Sequence, residues 1–329
     1  MKKAGKILLI AAGLLCVVLA TAIHFTIGWR PFLGPRKRPL ADRHFESTPE
    51  RIARGRYLVQ GVLACPACHS PKNWSEHGAP DLPGQEFSGQ VMTEPGLPGT
   101  IVASNITPDV ESGAGRWTDD QLARAIREGI GHDDRTIFPI MPYDGYKSLS
   151  DDDVAAVVVY LRSLPPVQHA LPPTHVNFPV NYLVQGAPQP VSATVTGPNP
   201  SDVAGRGKYL VALGCDCHRA VEKLGYGGGL HLKGPWGDVT SANITPDPSG
   251  ISYYTEATFV TALRTGYVGS RKLNSIMPFG QFKSMTDEDL KAMFAYLKTV
   301  KAVHHRVDNS LPPTYCKLCK QKHGAGDQN

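Results

Sequence analysis

One ordered set of short segments occurs twice in this chain, and that constrains the fold more than any other feature. Arg54-Gly55-Arg56-Tyr57-Leu58-Val59 recurs as Arg206-Gly207-Lys208-Tyr209-Leu210-Val211. Cys68-His69 recurs as Cys217-His218, and Ser104-Asn105-Ile106-Thr107-Pro108-Asp109 as Ala242-Asn243-Ile244-Thr245-Pro246-Asp247. Leu122 to Gly129 answers to Phe259 to Gly266, Ile140-Met141-Pro142 to Ile276-Met277-Pro278, and Leu149 to Asp153 to Met285 to Asp289. The order is identical in both halves. From Asn to Met the spacing is 36 residues in one copy and 34 in the other; from His to Asn it is 36 against 25. A period this long means a duplicated fold unit, not a short-period solenoid.

The first copy contains Cys65-Pro66-Ala67-Cys68-His69, the C-x-x-C-H signature of covalent haem attachment. Two thiols about one helical turn apart can add to the two vinyl groups of one porphyrin. The next residue, His69, then stands beneath the iron. Alone, the motif also suits a disulfide or half a zinc site; its recurrence favours haem. A second axial ligand is expected from further along, and Met141 is the candidate, because Met/His ligation serves electron transfer. By the repeat, His218 and Met277 take the same roles.

At 329 residues the chain has room for two domains and an anchor. Its 28 prolines and 33 glycines point to loop-rich domains. The net charge of +5 is modest, and no basic stripe interleaved with aromatics appears, which disfavours nucleic acid as a partner. At the N-terminus Lys2, Lys3 and Lys6 precede an apolar run from Ile7 to Ile23. It reads as an uncleaved signal anchor, because it exceeds the usual 7–15-residue signal core; cleavage after Ala20-Thr21-Ala22 is the other reading. Arg30, Arg36, Lys37, Arg38 and Arg43 follow the run, which by charge alone would place the bulk of the chain in the cytoplasm. Haem attachment outside the inner membrane, and the indifference of long domains to flanking charge, favour the periplasm.

Each copy reads as three helices. Thr48-Pro49-Glu50 and Ser201-Asp202 open the first pair, with Thr48 as N-cap and Pro49 at the first helical position. Thr118 with Gln121 forms a capping box for the second, whose partner opens at Tyr254-Thr255. Ser150 with Asp153, and Thr286 with Asp289, open the third; Val154, Val158 and Leu161 follow on one face. The chain resembles the class I c-type cytochromes, present in tandem. It is similar above all to the cytochrome c subunits of periplasmic alcohol and gluconate dehydrogenases and to membrane-anchored dihaem cytochromes. The matching pieces are the Tyr-Leu-Val helix, C-x-x-C-H, the Asn-Ile-Thr-Pro-Asp loop, the Arg-Glu-Gly or Arg-Thr-Gly helix end, the Met-Pro loop and the Asp-rich helix start. The resemblance covers residues 49 to 304. It implies an all-α fold of two class I domains, two haems c, and distal ligation by Met141 and Met277. The expected division is an anchor over 1–30, a juxtamembrane linker over 31–48, a first domain over 49–166, a Pro-rich linker over 167–200, a second domain over 201–304 and a tail over 305–329.

The implied activity is transfer of single electrons from a donor dehydrogenase to an oxidase or soluble carrier. A dihaem enzyme of thiosulfate dehydrogenase or peroxidase type is the rival reading, kept alive by the second attachment site. There the sequence is Gly214-Cys215-Asp216-Cys217-His218. Counted back from His218, the first-cysteine slot falls on Gly214, so Cys215 is one residue too close. Haem held by Cys217 alone, haem held by both thiols, and loss of the haem all remain open. Cys316-Lys317-Leu318-Cys319-Lys320 in the tail is expected to form a disulfide, as an oxidising compartment permits. Haem ligation by C-x-x-C-K, pairing of either thiol with Cys215, and a zinc site with His323 are the alternatives. His77, His132, His169 and His175 read as loop or surface residues. The acidic helix starts read as complements to the helix dipole.

Overall fold

The computed structural model describes residues 2–329. Helix α1, Lys2–Thr26, carries the N-terminal apolar run; its stretch Lys3–Thr26 has a mean hydropathy of 2.6 and is not buried. At a rise of about 1.5 Å per residue it is long enough to cross a bilayer.

Six further long helices come three from each repeat: α2 (Pro49–Tyr57), α3 (Asp119–Glu128) and α4 (Asp151–Arg162) from the first, α5 (Val203–Gly214), α6 (Glu256–Thr265) and α7 (Asp287–Leu297) from the second. Every cap expected from the sequence is made. Thr48, Thr118, Ser150, Asp202, Thr255 and Thr286 each accept a backbone N–H three residues on. Gln121 completes its capping box. The second helix of each repeat ends in a left-handed glycine, Gly129 and Gly266, with φ of 71° and 73°.

Helices α2 and α4 cross at Gly55, where a Cβ would lie 2.0 Å from the Ala156 carbonyl oxygen. Helices α5 and α7 cross at Gly207, where it would lie 2.0 Å from that of Ala292. The same glycine therefore permits the same close crossing twice. Beside each crossing an arginine pairs with an aspartate at the start of the last helix: Arg54 with Asp153 at 2.8 Å, and Arg206 with Asp289.

A purely helical reading needs correction. The long loops hold five two-stranded antiparallel ladders among the described residues. The largest pairs His231–Gly234 with Gly237–Thr240 about a tight turn at Pro235-Trp236. The 167–200 segment is ordered against the first repeat: His175–Val176 pairs with Gly99–Thr100, and the Asp151 N–H donates to the Val195 carbonyl.

The two repeats share one hydrophobic core, in which Leu58, Val59 and Val62 meet Leu210, Val211, Leu213, Phe282 and Met285. Their contact is reciprocal. The Tyr57 hydroxyl donates to Asp289 and accepts from the Thr286 N–H, while the Tyr209 hydroxyl donates to Asp153 at 2.7 Å and accepts from the Ser150 N–H at 3.0 Å. Each tyrosine thus reaches into the other repeat's last-helix cap, the pattern of a pseudo-twofold interface.

The segment after α1 lies along α3. Arg38 donates through both terminal nitrogens to Asp120, at 2.7 and 2.8 Å, and through Nε to Glu128 at 2.7 Å. Ala41 N–H donates to Asp120, Phe45 N–H donates to Asp119, and Lys37 pairs with Asp134. Residues 37 to 45 form a strap on the first repeat rather than a loose linker.

Candidate haem-attachment sites

The first site forms where α2 ends irregularly. Leu63 N–H reaches back five residues to Leu58 O, a π-type turn of the kind common at functional sites. Ala64 then takes a positive φ of 46°, and the chain re-enters a short helix, Pro66–His69. Cys65 N–H donates to the Val59 carbonyl at 3.0 Å, and the Cys65 carbonyl accepts from His69 N–H at 2.9 Å.

The second site reaches the same end with fewer residues. Helix α5 runs unbroken through Gly214, and Cys215 N–H donates to the Val211 carbonyl at 3.0 Å. The Cys215 carbonyl accepts from His218 N–H at 3.0 Å across a tighter 3₁₀ turn, Asp216–His218. Val211 is the repeat partner of Val59, so Cys215 is bonded on both sides as Cys65 is. Three residues of 3₁₀ helix and four of α-helix both span about 6 Å. The missing residue is absorbed by the turn, and Cys215, not Gly214, stands in the first-cysteine place.

Both histidines are held alike. His69 Nδ1 lies 2.7 Å from the Ser104 carbonyl, and His218 Nδ1 lies 2.7 Å from that of Ala242. A carbonyl can only accept, so Nδ1 carries the proton and Nε2 keeps its lone pair, the tautomer and second-shell bond of a metal-ligating histidine. Burial holds both imidazoles below their usual pKa, against the opposing carbonyl bond, so both are neutral at pH 7. Burial also pushes the Cys65 and Cys215 thiols up to about 12 and that of Cys68 to about 11. Cys65 and Cys215 lie at one hydrophobic core, which brings the two sites together.

The methionine loops repeat in backbone detail. Tyr143 N–H donates to Met141 O, and Phe279 N–H donates to Met277 O, both at 2.8 Å. Pro142 and Pro278 share φ of −80° with ψ of 44° and 46°. Met141, Met277 and Cys65 are partly buried against the shared core, to which Cys215 belongs. Cys217 is exposed. The donor set of each repeat, two thiols, an Nε2-ligating imidazole and a thioether, fits covalent haem.

The asparagine loops support the site from outside. The residue before each asparagine supplies the carbonyl that holds the histidine. Asn105 and Asn243 themselves donate, at 2.8 Å, to the Val167 and Val303 carbonyls of the chain leaving the last helix. Sequence reasoning could single out these loops only through their recurrence. It missed the Tyr57/Asp289 and Tyr209/Asp153 exchange, because a tyrosine repeated at the same place gives no hint of which repeat it serves. His77 bonds the Thr265 carbonyl, His132 stacks on Trp117, and His169 bonds the Ser88 carbonyl, while His175 sits in a two-stranded ladder. In the tail Cys316 and Cys319 are free, not joined as the sequence suggested. Neither pairs with Cys215, which is also free and lies in the other core cluster.

No family model matches the chain. It is similar to the fructose dehydrogenase cytochrome subunit of Gluconobacter japonicus, 29% identical over 76% of this chain and 53% of that one. It is similar to the gluconate 2-dehydrogenase cytochrome c subunit of Pantoea cypripedii, 30% identical over 76% of this chain and 60% of that one. A diheme cytochrome c-type protein of Cereibacter sphaeroides is 31% identical over 69% of this chain and 81% of its own length. The chain therefore spans little more than half of the dehydrogenase subunits but most of the diheme protein.

Proposed function

This chain belongs to the diheme c-type cytochromes, and from that premise we propose that it is a single-electron carrier, taking electrons from a donor dehydrogenase and passing them to an oxidase or a soluble cytochrome. Haem c, bound covalently, supplies the one-electron iron couple. Each repeat is read as one class I cytochrome c domain. Cys65 and Cys68, and Cys215 and Cys217, are the covalent anchors. His69 and His218 are the proximal ligands, oriented by the Ser104 and Ala242 carbonyls. Met141 and Met277 would each supply a thioether sulfur as the second ligand, which would favour ferrous iron and leave no position for a substrate.

The observation that carries this reading is the duplication of the ligand frame: the same histidine bond and the same Met-Pro backbone on both sides of one core. Two closed, adjacent sites suit relay of electrons. The named role of the fructose and gluconate dehydrogenase relatives, as cytochrome subunits, supports a dehydrogenase as donor. Helix α1 is read as the inner-membrane anchor, with the globular part in the periplasm. Pairing of Lys37, Arg38 and Arg43 with acidic residues of the first repeat supports this placement, because those cations serve the fold instead of a cytoplasmic flank.

The test is carbon monoxide titration of the reduced protein, exported and purified with its haem, beside its intact mass. The expected result is a mass carrying two haems and no stoichiometric carbon monoxide complex. A stoichiometric complex in the wild type would overturn the carrier reading and revive a dihaem enzyme; a mass with one haem would remove the second site.

A further inference from the structure

The tail holds a cluster that the haem sites leave unused. His305, Cys316, Cys319 and His323 are all buried, and their ligand atoms lie within 4.8 Å of one another. They belong to a small core of their own, in which Cys316 and Cys319 pack with Leu224, Val221, Val303 and Leu318. A hairpin pairing Pro313–Tyr315 with Lys322–Gly324 brings the C-x-x-C turn and His323 together. Gly229, with φ of 105°, lets the turn close: a Cβ there would lie 3.1 Å from that of Cys319 and 3.2 Å from the His305 ring.

The hydrogen bonds fix the chemistry. His305 Nδ1 lies 2.6 Å from the Gly227 carbonyl, and His323 Nδ1 lies 2.9 Å from that of Gly324. Each Nδ1 therefore donates its proton, and each Nε2 is a bare lone pair. Yet the two Nε2 atoms face each other at 3.3 Å, in a buried place where lone pairs would repel. Cys316 Sγ lies 3.5 Å from His305 Nε2. Around a tetrahedral zinc, with Zn–N about 2.0–2.1 Å and Zn–S about 2.3 Å, the ligand edges are about 3.3–3.4 Å for N–N and about 3.6 Å for N–S. The observed edges match. A Cys₂His₂ donor set with both imidazoles fixed by carbonyls is that of a structural zinc site.

The repeat explains its origin. His169 is the counterpart of His305. Its N–H bonds the Ser112 hydroxyl as that of His305 bonds the Ser249 hydroxyl, and its Nδ1 bonds the Ser88 carbonyl. The second repeat has the shorter loop after its haem-site histidine, by 11 residues, and the tail packs on Val221 and Leu224 in that loop. We propose that His305, Cys316, Cys319 and His323 bind one zinc ion that clasps the tail onto the loop following His218.

The test uses the full-length, haem-loaded protein purified without an affinity tag or metal column. Elemental analysis is expected to give one zinc per chain after dialysis against a weak chelator, and zinc-edge X-ray absorption a shell of two sulfurs and two nitrogens. The double variant Cys316→Ser/Cys319→Ser should lose the zinc with its iron content unchanged. Should that variant fail to fold, the wild-type absorption shell decides alone. A peptide map with a Cys316–Cys319 disulfide, zinc well below one equivalent, or a bound zinc without sulfur ligands would each overturn the proposal.

Discussion

Cys215 looks displaced by one residue when counted along the chain, yet it receives and gives the same backbone bonds as Cys65. On the proposed reading, both thiols of the second site would then serve one haem as those of the first would. The wild-type protein is expected to have no free vinyl group, so its pyridine haemochrome bands should be those of a fully thioether-linked haem. Cys215→Ala should keep its covalent haem through Cys217 while shifting half of the α-band absorbance to longer wavelength, because one vinyl rejoins the conjugated ring. A wild-type spectrum already shifted would refute two-thiol attachment. At the ligands, Met141→Ala should lower the potential of one haem and open it to carbon monoxide, read by redox titration with and without the gas. An unchanged potential would remove Met141 from the iron. The candidate attachment residues were legible as a pattern because covalent attachment would permit few residue types at fixed spacing. The equivalence of Cys215 with Cys65 was not, because a 3₁₀ turn and an α turn cover one distance with different residue counts.

Among the elements, six helix starts were readable because capping is a local matter of one side chain and the N–H three residues on. What joins the helices was not readable, since those partners are distant in sequence. Arg127 pairs with Asp151 and Arg264 with Asp287, so the repeated helix end and the repeated acidic helix start turn out to be each other's partners. The glycine crossings make a sharper case. Gly55→Ala would push a methyl into the Ala156 carbonyl, and Gly207→Ala would do the same at Ala292. Each helix pair must separate to admit it, at a cost of about 3 kcal/mol or more. Urea unfolding of the haem-loaded variants checks this; a loss under about 1 kcal/mol would mean that the crossing relaxes easily. Tyr57→Phe and Tyr209→Phe remove hydrogen bonds to buried carboxylates across the repeat interface, each worth about 1.5–3 kcal/mol. Arg54 bonds Asp153 and lies 5.6 Å from the centre of the Tyr57 ring, so the two pairs share a partner and the losses should depart from additivity in the double variant.

For the whole molecule, the strap decides how the globular part is carried on its apolar helix. Arg38, Asp120 and Glu128 form a nearly buried ion cluster; Asp120 is fully covered, and Glu128 is 2% exposed. The second repeat has Thr265 where the first has Glu128, so the cluster can form on one repeat alone. Removing one partner from a buried cluster strands the other charges, at about 3–5 kcal/mol. Arg38→Ala is therefore expected to release residues 37 to 45, seen as faster amide exchange there, while exchange in α6 and α7 stays as in the wild type. Acid should do the same reversibly. Burial works against the Asp120 charge, but the Arg38 bonds and the Ala41 N–H outweigh it and hold its carboxyl below the usual range. A carboxylate lowered in the folded state stabilises it fully above its unfolded pKa, near 4, and ceases to do so as pH falls through the lower folded value. The strap should thus stay closed from neutrality down to about pH 4 and loosen below it. Strap exchange that already rises between pH 7 and 5 would assign the anchoring to some group other than Asp120, and with it the link between the apolar helix and the first repeat.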